Sequence, residues 1–319
     1  MDKKQSLLDI TSFHMQPLVS IPVITYNSEK TVIQTLDSIK AQSYSNLELI
    51  ISDDCSTDNT VKLCQEWIDE NKGRFSRVQI IVADHNTGTS GNVNRAEEAC
   101  MGEWIKSISG DDLLTPTSIA DYIDYVTRTP GVIIVFGKCK CFGGNKRQQR
   151  YFEEKVFKSD FFNLSALEQY QFLLKGNCVP GATVFFNRPK MKAHGVNCDE
   201  RIPLLEDWPR WINLTKKGIK LLCIDKVTVN YRLAGISSVK SNLPSPAYYR
   251  SLRLFDLLYR YPLSGEGDNK AVLEQVLEYE CGQYGELLSA YHSKEYRIGK
   301  VMLWPFRAIM QLIKKKQLP

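Results

Sequence analysis

The chain has 319 residues, 43% hydrophobic and 24% charged, with a formal net charge of +5. That composition suits a soluble globular enzyme with a sizeable core; lysines and arginines are scattered until the end of the chain, which argues against a nucleic-acid footprint. No run approaches the roughly 18 apolar residues of a membrane span.

The amino-terminal extension, residues 1–16, has a charged start with no apolar run behind it, so it does not read as a secretory signal and the cytoplasm is the expected compartment. From residue 17 two periodicities alternate. "LVSIPVIT" (18–25) reads as a buried strand, and Val32, Ile33, Leu36 and Ile39 then form a helical stripe with Ser28 as N-cap. "LELIIS" (47–52) is strand-like, "STDNTVKLCQEWIDE" is a helix capped by Asp58, and "VQIIVA" (78–83) is a strand again. This alternation predicts a mostly parallel sheet covered by helices, with ligands at the carboxyl ends of its strands. After "VIIVFGK" (132–138) a polar stretch, "CFGGNKRQQRYFEEK", reads as a long excursion. "GATVFF", "KLLCI" and "VTVNYR" read as short strands around a helix from Leu205 to Lys217, and residues 241–319 are mainly helical. The nine cysteines stand singly except Cys139 and Cys141, too close together for a zinc half-site with a two-residue spacer, and read as reduced thiols.

Two acidic pairs stand where this pattern ends its strands. Asp53 and Asp54 follow the second strand, where they either accept hydrogen bonds from a base or ribose or simply cap the next helix. Asp111 and Asp112 sit on a glycine turn in "GEWIKSISGDDLLTP". Two like-charged pairs converging on one sheet edge repel, and a divalent cation relieves the repulsion; few oxygen ligands suit Mg²⁺ or Mn²⁺ completed by diphosphate oxygens and water. Between them, "HNTGTSGNVNRAEEA" (85–99) follows the third strand and has Asn94 and Arg95 where a dinucleotide fingerprint needs its last glycine, so hydride transfer is disfavoured.

Residues 19–238 resemble a family 2 glycosyltransferase of the GT-A fold, with "VSIPVITYN", "SDDCSTDNT", "NTGTSGNVN", "GEWIKSISGDDLL" and "LLEDWPRWINL" in the family's order. The resemblance implies a nucleotide-sugar-binding half at 17–136 and an acceptor-binding half at 137–240. It implies donor contacts from Thr25, Tyr26, Asn27, Asp53, Asp54, Asn94 and Asp111, and a metal on Asp111 or Asp112; Arg232 in "VNYRLAGISS" is either a donor-binding cation for the leaving diphosphate or a surface strand residue. UDP is the implied nucleotide, and the transferred unit a hexose or an N-acetylhexosamine. Two departures stand out. The family's metal turn usually reads Asp-x-Asp-Asp, and Ser109 holds the first acidic position here; a histidine often follows the Tyr-Arg pair, where Ala234 and Gly235 stand.

An inverting transfer needs a base within hydrogen-bond reach of the acceptor hydroxyl. The resemblance assigns it to Asp207 in "LLEDWPRW", with Glu206 supporting; the competing reading is an aspartate capping a helix. Trp208 and Trp211, three apart on that helix, and "GNCVPGATVFF" (176–186) are the expected acceptor surface, with Trp211 alternatively in the core. No serine or cysteine stands in a nucleophile-elbow context, and with four histidines no Ser-His-Asp constellation is credible. In residues 296–319 an apolar stripe faces Arg297, Lys300, Arg307 and Lys314, which suits either an anionic membrane surface or packing on protein. The membrane option fits a glycan acceptor on a polyprenyl diphosphate. A nucleotidyltransferase would want a glycine-rich phosphate loop after the first strand, which "VITYNSEKT" lacks; a catalytically silent glycan-binding or scaffold protein is the other class weighed.

Overall fold

The computed structural model describes residues 16–152, 159–233 and 245–260, with 278, 280–282, 284–289 and 293. The chain divides into two compact units, Met1–Lys240 and Ser241–Pro319.

In the first unit, β1 (Val19–Thr25), α1 (Val32–Lys40), β2 (Leu47–Asp53), α2 (Thr60–Asn71), β3 (Arg77–Val82) and α3 (Gly88–Ala99) follow the predicted alternation. β1 pairs in parallel with β2, and β2 with β3. Every residue of β2 is buried, as expected of a parallel strand covered on both faces. Helix caps differ from expectation by a residue or more. α1 begins after Thr31, with Ser28 accepting from Val32 N through its carbonyl, and α2 begins after Asn59, with Asp58 bonding the Thr60 amide and hydroxyl. Both predicted caps close tight turns ahead of the helix instead.

Three short strands come next: β4 (Trp104–Ile105), β5 (Ile108–Ser109) and β6 (Leu113–Leu114). α4 (Ser118–Arg128), β7 (Ile134–Phe142), α5 (Lys146–Tyr151), α6 (Ala166–Leu173), β8 (Phe185–Asn187), α7 (Arg188–Ala193), α8 (Trp208–Lys216) and β9 (Leu222–Arg232) complete the unit. One nine-stranded sheet runs β3-β2-β1-β4-β8-β7-β9-β6, with β5 also beside β1. β8 is antiparallel to β4 and β7, and β6 to β9, while β7 and β9 are parallel. β7 extends beyond the expected run to Phe142, because Cys139 to Phe142 pair with Val229 to Arg232. β8 is shorter than "GATVFF", since Gly181–Thr183 form a 3₁₀ turn.

Buried charge pins the first strands together. Glu48 on β2 is fully buried; burial alone would raise its pKa, but Ser20 of β1, the Met101 amide and Arg77 of β3 all bond it and hold the carboxyl below its usual range.

In the second unit, α9 (Pro246–Phe255) is capped by Ser245, whose hydroxyl accepts from Tyr248 N. Tyr249 stacks on Tyr284 with centroids 4.0 Å apart. The segment 296–319, like Ala234 and Gly235, lies outside the described residues, and no helix among those described is long and apolar enough to cross a membrane.

Candidate active site

The acidic turn between β5 and β6 is built by pairing. Ser109 lies beside Ile24 of β1, and Gly110 N donates to Ile24 O at 2.9 Å. Two hydroxyls, from the α1 N-cap and its first turn, hold the turn's carbonyls: Thr31 Oγ1 donates to Gly110 O and Thr35 Oγ1 to Asp112 O, each at 2.8 Å. Arg232, at the end of β9, closes it. Its amide donates to Asp112 Oδ1 at 2.8 Å and its Nε to Asp111 O at 2.7 Å, while the guanidinium reaches Gln34 and lies 4.5 Å from the Phe142 ring centroid. The structure thus brings Arg232, Asp111 and Asp112 together. Burial and then the neighbouring Asp111 charge push Asp112 up to about 8; burial raises Asp111 too, against the pull of Arg232. Beneath lies Lys106, fully buried and donating to Ser107 O and Ala182 O at 2.7 and 2.6 Å. Burial pulls its pKa down to about 7, opposed by Asp112.

The second pair sits at the start of α8. Asp207 is the N-cap of α8 and also lines a pocket: its carbonyl accepts from Trp211 N, and Oδ1 accepts from Trp208 N at 2.5 Å. Asn177 Nδ2 donates to Oδ2 at 3.2 Å. Gly181 allows this approach, since a Cβ there would stand 3.0 Å from Asp207 Oδ2. Burial, opposed by the Trp208 amide and by Asn177, pushes Asp207 up to about 6; burial and the Asp207 charge push Glu206 up to about 8. One pocket is lined by Glu206 and Asp207 together with Ser109, Ser107, Glu97 and Arg210.

Both pairs act on Tyr231, the residue before Arg232. Its phenol pKa is raised first by burial and then by the charges of Asp112, Asp111, Glu206 and Asp207. Motifs separated by about a hundred residues in sequence therefore bear on one point.

α3 positions the second pair. Asp54 holds its N-terminus: the carboxylate accepts from Thr87 N, Thr87 Oγ1 and Gly88 N and pairs with Arg95 at 2.9 Å. Gly88 has φ +78°, and a Cβ there would lie 2.6 Å from Pro203 Cβ. Ser90, Asn94 and Glu97, at i, i+4 and i+7, then form one polar stripe. Ser90 bonds the Ile202 carbonyl, Asn94 bonds both the amide and the carbonyl of Cys198, and Glu97 makes two 2.8 Å bonds to Arg210. The stripe docks the segment that carries Glu206 and Asp207.

The other expected donor contacts fall into two groups. Tyr26 is 40% exposed at the end of β1. Asn27, at φ +50°, accepts from the Thr57 amide and hydroxyl. Thr25, Asp53 and Asp54 are buried, with Thr25 Oγ1 donating to Asp53 Oδ2 at 2.7 Å and Ser56 filling both Asp53 oxygens. In this conformation Asp53, Asp54 and Asn94 hold loops and helix together, and none of the three lines the pocket. The tryptophans separate as well: Trp211 is 1% exposed and meets Phe136 edge-on at 5.0 Å, while Trp208 is partly exposed and donates to Leu173 O. Asn177, Glu97, Arg210, Lys106 and Tyr231 were not singled out from the sequence; their partners lie far along the chain, 113 residues for Glu97 and Arg210.

A mostly parallel sheet with an acidic turn between two of its strands and a second acidic pair at the start of a helix is the GT-A architecture of glycosyltransferases. The same fold occurs in the crystal structure of S. aureus TarS 1-349 in complex with UDP-GlcNAc, at a TM-score of 0.59 and 18% identity over 81% of this chain and 70% of that one. It occurs too in the mannosyltransferase PcManGT from Pyrobaculum calidifontis in complex with GDP-Man and Mn²⁺, at a TM-score of 0.56 and 15% identity over 93% and 84%.

The chain belongs to glycosyl transferase family 2: the family model matches residues 20–189, more than half its length. Among characterised relatives it is 29% identical, over 70% of its own length and 80% of the relative's, to the Escherichia coli UDP-Glc:alpha-D-GlcNAc-diphosphoundecaprenol beta-1,3-glucosyltransferase WfaP. It is 25% identical, over the same shares, to WfgD, an E. coli enzyme of the same description. The protein is a glycosyltransferase.

Proposed function

We propose that the protein is an inverting, metal-assisted transferase that moves a hexosyl or N-acetylhexosaminyl unit from a UDP-sugar to a glycan carried on a polyprenyl diphosphate, in bacterial surface-polysaccharide assembly. The observation that carries this reading is the pocket in which Glu206 and Asp207, at the start of α8, share a lining with Ser107, Ile108 and Ser109, the residues that lead into the acidic turn. The names of WfaP and WfgD, which transfer glucose from UDP-Glc to a sugar on diphosphoundecaprenol, support the substrate classes.

Among the described residues no three His, Cys, Asp or Glu side chains cluster to hold a metal by themselves. The donor set at the turn nevertheless fits Mn²⁺ or Mg²⁺: two adjacent carboxylates whose proton affinity is raised by burial suit an ion that takes its other ligands from phosphates and water. Asp111 and Asp112 would hold the cation, and when bound it supplies positive charge where the departing diphosphate gains negative charge. Arg232 braces the turn, and Tyr26 and Asn27 stand at the end of β1 for the nucleotide.

Asp207 takes the proton of the acceptor hydroxyl as that oxygen bonds to the anomeric carbon; the bond from this carbon to the diphosphate oxygen breaks on the opposite face, and the nucleotide leaves with the electron pair. Asn177 and the Trp208 amide fix the carboxylate. Glu206, protonated up to about pH 8, keeps the pair at one negative charge near neutrality. Asp207→Asn is expected to reduce transfer by about 10²–10⁴-fold while leaving binding of UDP with Mn²⁺ unchanged; undiminished turnover would overturn the assignment.

The segment 296–319 is proposed to attach the protein to the anionic membrane surface where such an acceptor resides, as a peripheral protein of the cytoplasmic face.

A further inference from the structure

Two donors in the pocket wall have no acceptor. Arg210 and Trp211 are 3% and 1% exposed, and Arg210 Nε and Trp211 Nε1 have no hydrogen-bond partner among the described residues. Both residues line the pocket that also holds Asp207. The Asp207 carboxylate approaches Trp211 and the Cys198 thiol approaches Arg210 closely enough for a weak polar interaction, but neither approach has the geometry of a full hydrogen bond to these atoms. The thiol pKa is pushed up by burial, so the sulfur stays protonated and is a weak acceptor at best. Buried N–H groups left unpaired are rare because each loses its hydration without replacement. Two in one pocket wall, beside a candidate base, point to a ligand that brings the oxygens.

The rest of Arg210 narrows the ligand's chemistry. Its two terminal nitrogens are taken by Glu97 in a two-bond pair, both side chains being almost fully buried, and one guanidinium face is covered by the Phe186 ring, with centroid 4.8 Å away. The positive charge is thus already matched, so an anion would gain little there. What remains is one in-plane N–H, which suits a neutral oxygen. A buried ion pair of this kind is a poor source of stability compared with apolar packing, so its presence in the pocket wall calls for a role beyond holding the fold.

We propose that Arg210 Nε and Trp211 Nε1 form a sugar-hydroxyl subsite beside Asp207, with Glu97 fixing the guanidinium so that its free edge faces the bound glycosyl unit. This rests on the reading of the pocket as the place of glycosyl transfer. The glycosyl unit belongs either to the donor or to the acceptor, and both offer the same hydroxyl chemistry.

The test uses the full chain and two variants that each delete one N–H. Trp211→Phe keeps a ring against Phe136; Arg210→Lys keeps a cation opposite Glu97. Calorimetric titrations with Mn²⁺ compare free UDP, which lacks a sugar, with UDP-glucose and UDP-N-acetylglucosamine. Transfer kinetics use N-acetylglucosamine on a short-chain lipid diphosphate. Unchanged affinity for UDP with about tenfold weaker binding of the UDP-sugars in both variants places the donor sugar in the subsite. Unchanged binding of UDP and UDP-sugars with about tenfold higher acceptor KM places the acceptor there. Variants matching the unaltered protein in all three measurements would overturn the subsite alone. An unaltered protein that bound neither UDP nor its sugars would overturn the donor reading, and the subsite with it.

Discussion

Asn177→Ala probes the base by removing a side-chain amide that bonds its carboxylate. The Asn177 amide lies 3.2 Å from Asp207 Oδ2 and lowers the Asp207 pKa, which burial has driven up to about 6. Glu206, its neighbour, holds its proton to about 8. The first proton lost from the pair is therefore the one on Asp207, where the donors converge, and a working base requires that it be gone. A hydrogen bond to a charged group contributes about 1.5–3 kcal/mol, and the long distance puts this one at the low end, about one pKa unit. The substitution stabilises the protonated form relative to the carboxylate, so the acidic limb of kcat/KM should move upward by about one pH unit. From the ionised fractions, the variant should be roughly eightfold slower at pH 5.5 and nearly equal to the parent at pH 8.5. The assay is initial-rate transfer across pH 5 to 9 with donor limiting. A limb that stays in place, or a loss equal at every pH, would refute the claim that Asn177 acts by tuning this carboxylate.

Asp112→Asn should abolish the thermal stabilisation that Mn²⁺ with UDP confers on the unaltered protein, about 2–4 °C when ligand exceeds its Kd a hundredfold, as read by calorimetric melting. Gly88→Ala should cost about 2–4 kcal/mol in urea unfolding, because an alanine there is strained by its positive φ and its methyl meets Pro203; a cost within 0.5 kcal/mol would mean the helix start yields freely. Deletion of residues 296–319 should release the protein from anionic liposomes in a sedimentation assay, and retained binding would reject the attachment.

The sequence displayed some of this directly and concealed the rest for definable reasons. β1 and β2 were legible because parallel strands covered on both faces become nearly unbroken apolar runs; β3, a half-buried edge strand, still carries the apolar Ile80-Ile81-Val82, and the acidic turn was legible because two carboxylates interrupt an apolar passage. The second half of β7 was read as loop: its Cys-Lys-Cys-Phe sequence carries no apolar run, and what makes it a strand is β9, ninety residues later. The spacing of Trp208 and Trp211 places both on one side of a helix but cannot say whether that side meets ligand or core. The structure sends Trp211 inward against Phe136 and leaves Trp208 partly open. Glu97 and Arg210 passed unnoticed, since nothing local marks a residue whose partner lies on another helix. The i, i+4, i+7 recurrence of Ser90, Asn94 and Glu97 was available as a pattern, but polar stripes usually face water and carry no sign of their own.

That stripe sets a rule for recombining such enzymes. A chimera that exchanges residues 137–240 of this protein for those of another would import a new 198–210 segment and leave α3 behind, so hydroxyl, amide and carboxylate would meet mismatched partners. Functional hybrids should therefore need positions 90, 94 and 97 to travel with the half that they do not belong to in sequence. The natural seam between exchangeable parts runs along the face of one helix rather than through a loop.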